Sequence, residues 1–158
     1  MIAAPEEIEQ VRAACRVLVR RRARAAAALS AIPVPGVDIA GDMALLLEVI
    51  PAINRRFGLD HKQIENLDNT TKVVVYRIMR QAGTHFVGRA ITAELIGSAL
   101  SSLSVQIAAE TVLKFVPIAG TIASGLIAYQ MFKRIAYAHI EECVKVTRSV
   151  IQKEETAD

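Results

Sequence analysis

Apolar positions along this chain recur at steps of three and four residues, the period of helices buried on one side. The first row, Ile8, Val11, Cys15, Leu18, Ala25 and Leu29, predicts a helix from Pro5 to about Ser30. Pro5 suits a first helical position, and Glu6, Glu7 and Glu9 complement the positive end of the helix dipole. A second row, Ile39, Met43, Leu46, Ile50, Ile53 and Phe57, predicts a helix capped by Asp38, kinked at Pro51 and ended by Gly58. A short helix in DHKQIENLD follows, then one from a cap at Asn69 or Thr70 to about Gln81, broken by Gly83. Val73 to Tyr76 has strand propensity, but no other stretch offers it a partner strand, so it reads as helix. A small-residue-rich helix starts near Ala90. The last runs from about Ala119 to Lys153 on the row Ala128, Phe132, Ile135, His139, Cys143, Val146 and Val150. The expected fold is all-α: one domain over 1–158, a bundle of five to seven helices. Its parts are a basic helix (5–30), a first hairpin motif (31–58), middle helices (60–112) and a second hairpin motif with a long C-terminal helix (115–153).

Two stretches punctuate these rows. IPVPGVDIAGDMALLL from Ile32 and VPIAGTIASGLIAYQM from Val116 align at an offset of 84 residues, with Pro33 on Pro117, Gly36 on Gly120 and Gly41 on Gly125. Each reads as an apolar turn in which proline stops one helix and glycine admits the next, so Pro33, Pro35, Gly36, Asp38 and Gly120 are the structural turn residues. Turns are normally polar because their backbone groups face water. These two therefore either pack as buried elbows of a pseudo-repeat or insert into a bilayer or a partner's groove. The second copy has Ile122 and Leu126 where the first has Asp38 and Asp42. That makes Phe115, Val116, Pro117, Ile118, Ile122 and Leu126 the tip expected to enter an apolar medium.

Composition sharpens this picture. Hydrophobic residues are 53% of the chain, aromatics only 4%, and mean hydropathy is +0.33, which favours close-packed helices at a membrane surface or in an oligomer. Phe115 to Phe132 is uncharged over 18 residues, but Pro117 and Gly120 interrupt it; Leu95 to Ala109 gives 15. Neither is a comfortable transmembrane span, although a hairpin of the two dipping into one leaflet is compatible with both. The net charge is +3, and six arginines fall between Arg12 and Arg24. They form either a solvated face paired with acids elsewhere or, through Arg20, Arg21, Arg22 and Arg24, a contact for anionic lipid or a partner's acidic patch. Nucleic acid is not expected as a partner, since no aromatics interleave the basic residues and no recognition helix is evident. Two cysteines, Cys15 and Cys143, fit a reducing compartment, and the acidic MIAAPEEIEQ does not read as a targeting peptide.

No phosphate-cradling Gly-rich loop, nucleophile elbow, C-x-x-C pair or H-E-x-x-H motif is present. His139 and Cys143 stand four apart on one helix face, half of a metal site, and a histidine within an apolar row is more often simply packed. Asp38 and Asp42 read as a cap and an ion-pair partner for the arginine-rich helix. His61 and His85 lie near helix starts without an evident partner. The expectation is a non-enzymatic protein with no catalytic, cofactor or metal residues.

The pattern IPVPGVDIAGDMALLLEVIPAINRRFGLD, with FVPIAGTIASGLIAYQMFKRIAYAHIEE downstream, resembles the helical domain of unknown function of YcjF-like bacterial membrane proteins and of the C-terminal end of some Era-like GTPases. More distantly it is similar to the helical domain of immunity-related GTPases. The resemblance covers roughly residues 31–142 and rests on Pro33 to Asp38, Phe57 to Leu59 and Pro117 to Gly120. It implies a helical fold, association with membranes or with a GTPase, and no catalytic residues. This chain carries no GTPase domain, so a GTPase partner would be a separate protein. Two functions follow as expectations. One is a helical module at the cytoplasmic face of a membrane; the other is a soluble homo-oligomer or adaptor for another protein.

Overall fold

The computed structural model describes the backbone of residues 5–30, 37–99, 101 and 121–156, and the side chains of residues 5–25, 43–99, 101, 129–153, 155 and 156. The protein is all-α, and no strand occurs among the described residues. In order come α1 (Pro5–Ser30), α2 (Val37–Phe57), α3 (His61–Glu65) and α4 (Asn69–Ala82), then helical residues 93–99, then α5 (Thr121–Glu155). At ~1.5 Å per residue α5 is about 50 Å long.

Three helices form the frame. α1 runs antiparallel to α5: Glu9 pairs with Arg148, Arg12 with Glu141, and Arg16 lies over the Tyr137 ring. It is also antiparallel to α2, since Cys15 lies near Arg56 while Arg22 meets Glu48. α2 and α5 are therefore parallel, and Asn54 of α2 touches Cys143 of α5. Carried along the helices, this register brings Ser30, Val37 and Thr121 to one end of the bundle.

The core fills the seam between these helices. Ile8, Cys15 and Val19 of α1 meet Ile50, Ile53 and Phe57 of α2 and Phe132, Ile140 and Val146 of α5, all 1% exposed or less. Each such aliphatic or aromatic side chain contributes about 1.5–3 kcal/mol by leaving water. The α5 row holds at every position whose side chain is described, from Phe132 to Val150. The α1 row holds less well. Beyond Cys15 the buried positions are Val19 and Ala23, whereas Leu18 is half-buried and Ala25 exposed. Steps of four drift around the helix faster than its 3.6-residue turn and make the ridge by which helices pack at an angle.

Several boundaries move slightly. α2 begins at Val37, so Asp38 lies in its first turn and not at the cap, and α2 continues through Pro51. Gly58 and Gly83 end α2 and α4 with positive φ of 72° and 64°, as their glycines predict. The cap of α4 is Asp68 and not Asn69 or Thr70: its carboxylate accepts the Thr70 and Thr71 backbone N–H groups, both at 3.0 Å. An aspartate satisfies two orphan donors there that Asn69, already helical, cannot reach. The helix expected from Ala90 starts at 93. The turn residues Pro33, Pro35, Gly36 and Gly120 and the tip residues Phe115, Val116, Pro117 and Ile118 lie outside the described residues, as does the backbone comparison of the two turns. The side chains of Asp38, Ile122 and Leu126 are likewise outside them.

Candidate functional site: the arginine face of α1 and the polar hub beneath α5

The arginine cluster of α1 divides in two. Arg12 reaches Glu141 of α5 through Nε at 3.0 Å and Nη2 at 2.6 Å, a bidentate pair, and touches Glu9 at 3.2 Å. The bonds to Glu141 and Glu9 hold its guanidinium above its ordinary pKa, and the bond from Arg12 holds Glu9 below the usual carboxylate value. Arg16 shares Glu141 at 2.9 Å and stacks on Tyr137 with its guanidinium carbon 5.7 Å from the ring centre. Lys133 covers Tyr137 as well, at 5.4 Å, and Tyr129 at 5.6 Å. Arg22 is paired with Glu48 of α2. Arg20, Arg21 and Arg24 differ. All three are exposed, none has an acidic partner among the described residues, and their spacing of three and four puts them on one face of α1. A shallow depression of about 230 Å³ lined by Arg12, Arg16, Val17 and Arg20 runs alongside.

α5 carries a second polar assembly, buried at Asn54, His139 and Cys143 and reaching the surface through Glu142 and His85. Asn54 of α2 is fully buried and donates from Nδ2 to the Phe86 carbonyl at 3.2 Å, while Cys143 Sγ donates to Asn54 Oδ1 at 3.6 Å. His139, 1% exposed, places Nε2 3.7 Å from Cys143 Sγ and meets the Phe86 ring edge-on at 5.6 Å. Its Nδ1 has no hydrogen-bond partner and stands 3.8 Å from Glu142. Burial pushes the His139 pKa below its ordinary value of 6.5, so the ring is neutral. Glu142 also accepts the His85 backbone N–H at 3.2 Å and contacts the His85 ring at 3.1 Å. Burial alone would raise its carboxyl pKa, but the two histidines outweigh this and leave it lowered.

Cysteine, histidine and asparagine are the residue types of a thiol nucleophile site, yet this trio is built the other way. Burial and the Glu142 charge drive the Cys143 thiol far from the thiolate, whereas an activated cysteine has a depressed pKa. Cys143, Asn54 and His139 are at most 1% exposed, so no substrate reaches them. The assembly anchors the 84–88 loop to α2 and α5. Among the described residues no group of three or more His, Cys, Asp or Glu side chains is placed to hold a metal ion.

Sequence periodicity finds the face of α1 but not its division, because Glu141 and Glu48 are distant in sequence. It also leaves His85 without a partner, where the fold supplies Glu142. The one local signal was the acid pair Glu141–Glu142 between basic stretches of α5. No helix among the described residues is long and apolar enough to cross a membrane.

The fold and these surfaces define the class: an all-α helical bundle that carries a cationic face on α1 and a buried Asn54–His139–Cys143 cluster. Comparison with known protein families, with curated proteins and with solved structures finds no match.

Proposed function

We propose that this protein is a non-enzymatic helical module that binds an anionic membrane surface at the cytoplasmic side, with Arg20, Arg21 and Arg24 against lipid headgroups. The observation that carries the reading is that these three arginines are exposed and lack acidic partners among the described residues, while Arg12, Arg16 and Arg22 are internally neutralised. Basic residues near an anionic surface contribute about 1 kcal/mol each, so three give roughly 3 kcal/mol before any apolar insertion. The register adds support: the helix ends flanking both apolar stretches fall at one end of the bundle, the end toward which Arg20 to Arg24 lie on α1. In this reading Phe115 to Ile118, with Ile122 and Leu126, enter the acyl boundary there.

Sedimentation with vesicles tests it. The protein should pellet with vesicles containing phosphatidylserine at low salt and stay in the supernatant with phosphatidylcholine alone. R20Q/R21Q/R24Q should weaken pelleting severalfold, and Ile118→Asp with Ile122→Asp should weaken it independently. A wild-type protein that stays in the supernatant at low salt and elutes as a defined oligomer without detergent overturns the reading. The resemblance to helical domains of GTPase-linked proteins makes a separate GTPase one partner to test by the same elution experiment.

A further inference from the structure

We propose that the outer face of α4 is a docking groove for an acidic, amphipathic segment of a partner protein. Val73, Tyr76, Arg77 and Arg80 follow one another at helical spacing and share a face of α4. The opposite face, Val75 and Ile78, is buried, Met79 lies 8% exposed at the margin between the two faces, and α4 packs on α5 and α3. Val73, by contrast, is 56% exposed. Beside it lie two depressions of about 400 and 290 Å³ that share Tyr76 and Arg80, forming one groove that reaches Arg89 with Met79 in its floor.

Charge decides what fits. The sequence holds no aspartate or glutamate between Asp68 and Glu94. Glu65, the acid in contact with Tyr76, is already engaged: the Tyr76 hydroxyl donates to it at 2.6 Å and Lys72 pairs with it at 3.3 Å. That bond fixes the Tyr76 ring as a wall of the groove. Arg77, Arg80 and Arg89 are exposed and have no acidic partner among the described residues. An occupant that satisfies the site brings carboxylates to these guanidinium groups and apolar side chains to Val73, Tyr76 and Met79. Val73 to Arg80 spans about 10 Å of helix, and the groove continues past Gly83, which suits an elongated segment better than a compact ligand. The groove is on a different helix from Arg20, Arg21 and Arg24, so it stands apart from the membrane reading.

The full-length protein is panned against a display library of random peptides about 12 residues long, roughly 18 Å as a helix. Enriched peptides should carry net negative charge with apolar residues at helical spacing, and added salt should weaken them. R77Q/R80Q/R89Q should bind the best of them about tenfold more weakly, as the loss of three exposed ion pairs implies. Val73→Glu, a surface change, should weaken binding as well, and far-UV circular dichroism checks that both variants keep the fold. Failure to enrich acidic sequences, or binding that R77Q/R80Q/R89Q retains, overturns the proposal. So does a loss of vesicle pelleting in R77Q/R80Q/R89Q equal to that of R20Q/R21Q/R24Q, which would make α4 part of a lipid face instead.

Discussion

Asn54 holds together three parts of the chain that are far apart in sequence, since its amide joins α2 to the Phe86 carbonyl and to Cys143 of α5. Asn54→Ala should cost about 1–3 kcal/mol in urea unfolding, because it leaves a carbonyl unpaired in a dry interior. His139 makes stability depend on pH. Its pKa is lowered in the fold, so as pH falls below about 6.5 the unfolded chain takes up a proton that the folded chain refuses. Stability is therefore full above that value and declines toward pH 5, by at most about 1.4 kcal/mol per pH unit. Glu142, also lowered, is stabilising above its ordinary 4.5 and loses that contribution only on further acidification. Denaturation midpoints from about pH 8 to about pH 5 should show the decline, and His139→Leu should flatten it. Gly88 is constrained twice over. Its φ is +68°, and an added Cβ would fall 2.2 Å from Met79 Cε and 2.9 Å from Ile64 Cδ1. Gly88→Ala should destabilise by roughly 1–3 kcal/mol from backbone strain alone, read as a lower melting temperature.

Helix-scale features are set by caps and by ion pairs between faces. Asp68→Ala should cost about 1 kcal/mol in thermal or urea unfolding by freeing the first N–H groups of α4. Glu141 serves Arg12 and Arg16 together, and removing it sets two cations side by side on α1. Glu141→Gln should cost roughly 1 kcal/mol at low ionic strength and little in high salt, since the group is 43% exposed and screened. The same comparison separates the structural arginines from the free ones: R20Q/R21Q/R24Q should leave the unfolding midpoint nearly unchanged. The sequence period locates α2 and α5 well because both bury one continuous row. It locates α1 less well because its buried positions step by four after Cys15, through Val19 and Ala23, and leave the expected row at Leu18 and Ala25.

Among the described residues α1, α2 and α5 form a frame, α4 packs on α5 and α3 on α4, and Ile96 of residues 93–99 joins the same core. One seam buries all three frame helices, so unfolding should be a single cooperative transition, seen as coincident curves by far-UV circular dichroism and calorimetry. The antiparallel register also gives the molecule polarity, gathering the ends of α1, α2 and α5 that flank the apolar stretches. Cationic surface is then available in two places, on α1 and on α4, with different neighbours. Arg20, Arg21 and Arg24 are exposed near that end, while Arg77, Arg80 and Arg89 rim a groove with an apolar floor.

The all-helical class, the glycines that stop α2 and α4, and the buried row of α5 were determined by the chain alone, because they depend on local period and on backbone angles that neighbouring residues set. Which arginines are neutralised was decided only by the tertiary structure, as was the conversion of His139 and Cys143 from half a metal site into a sealed hub with Asn54. Those outcomes turn on partners dozens of residues away, Glu48, Glu141 and Phe86 among them. No local pattern encodes a distance of that kind, since it exists only once the helices have packed.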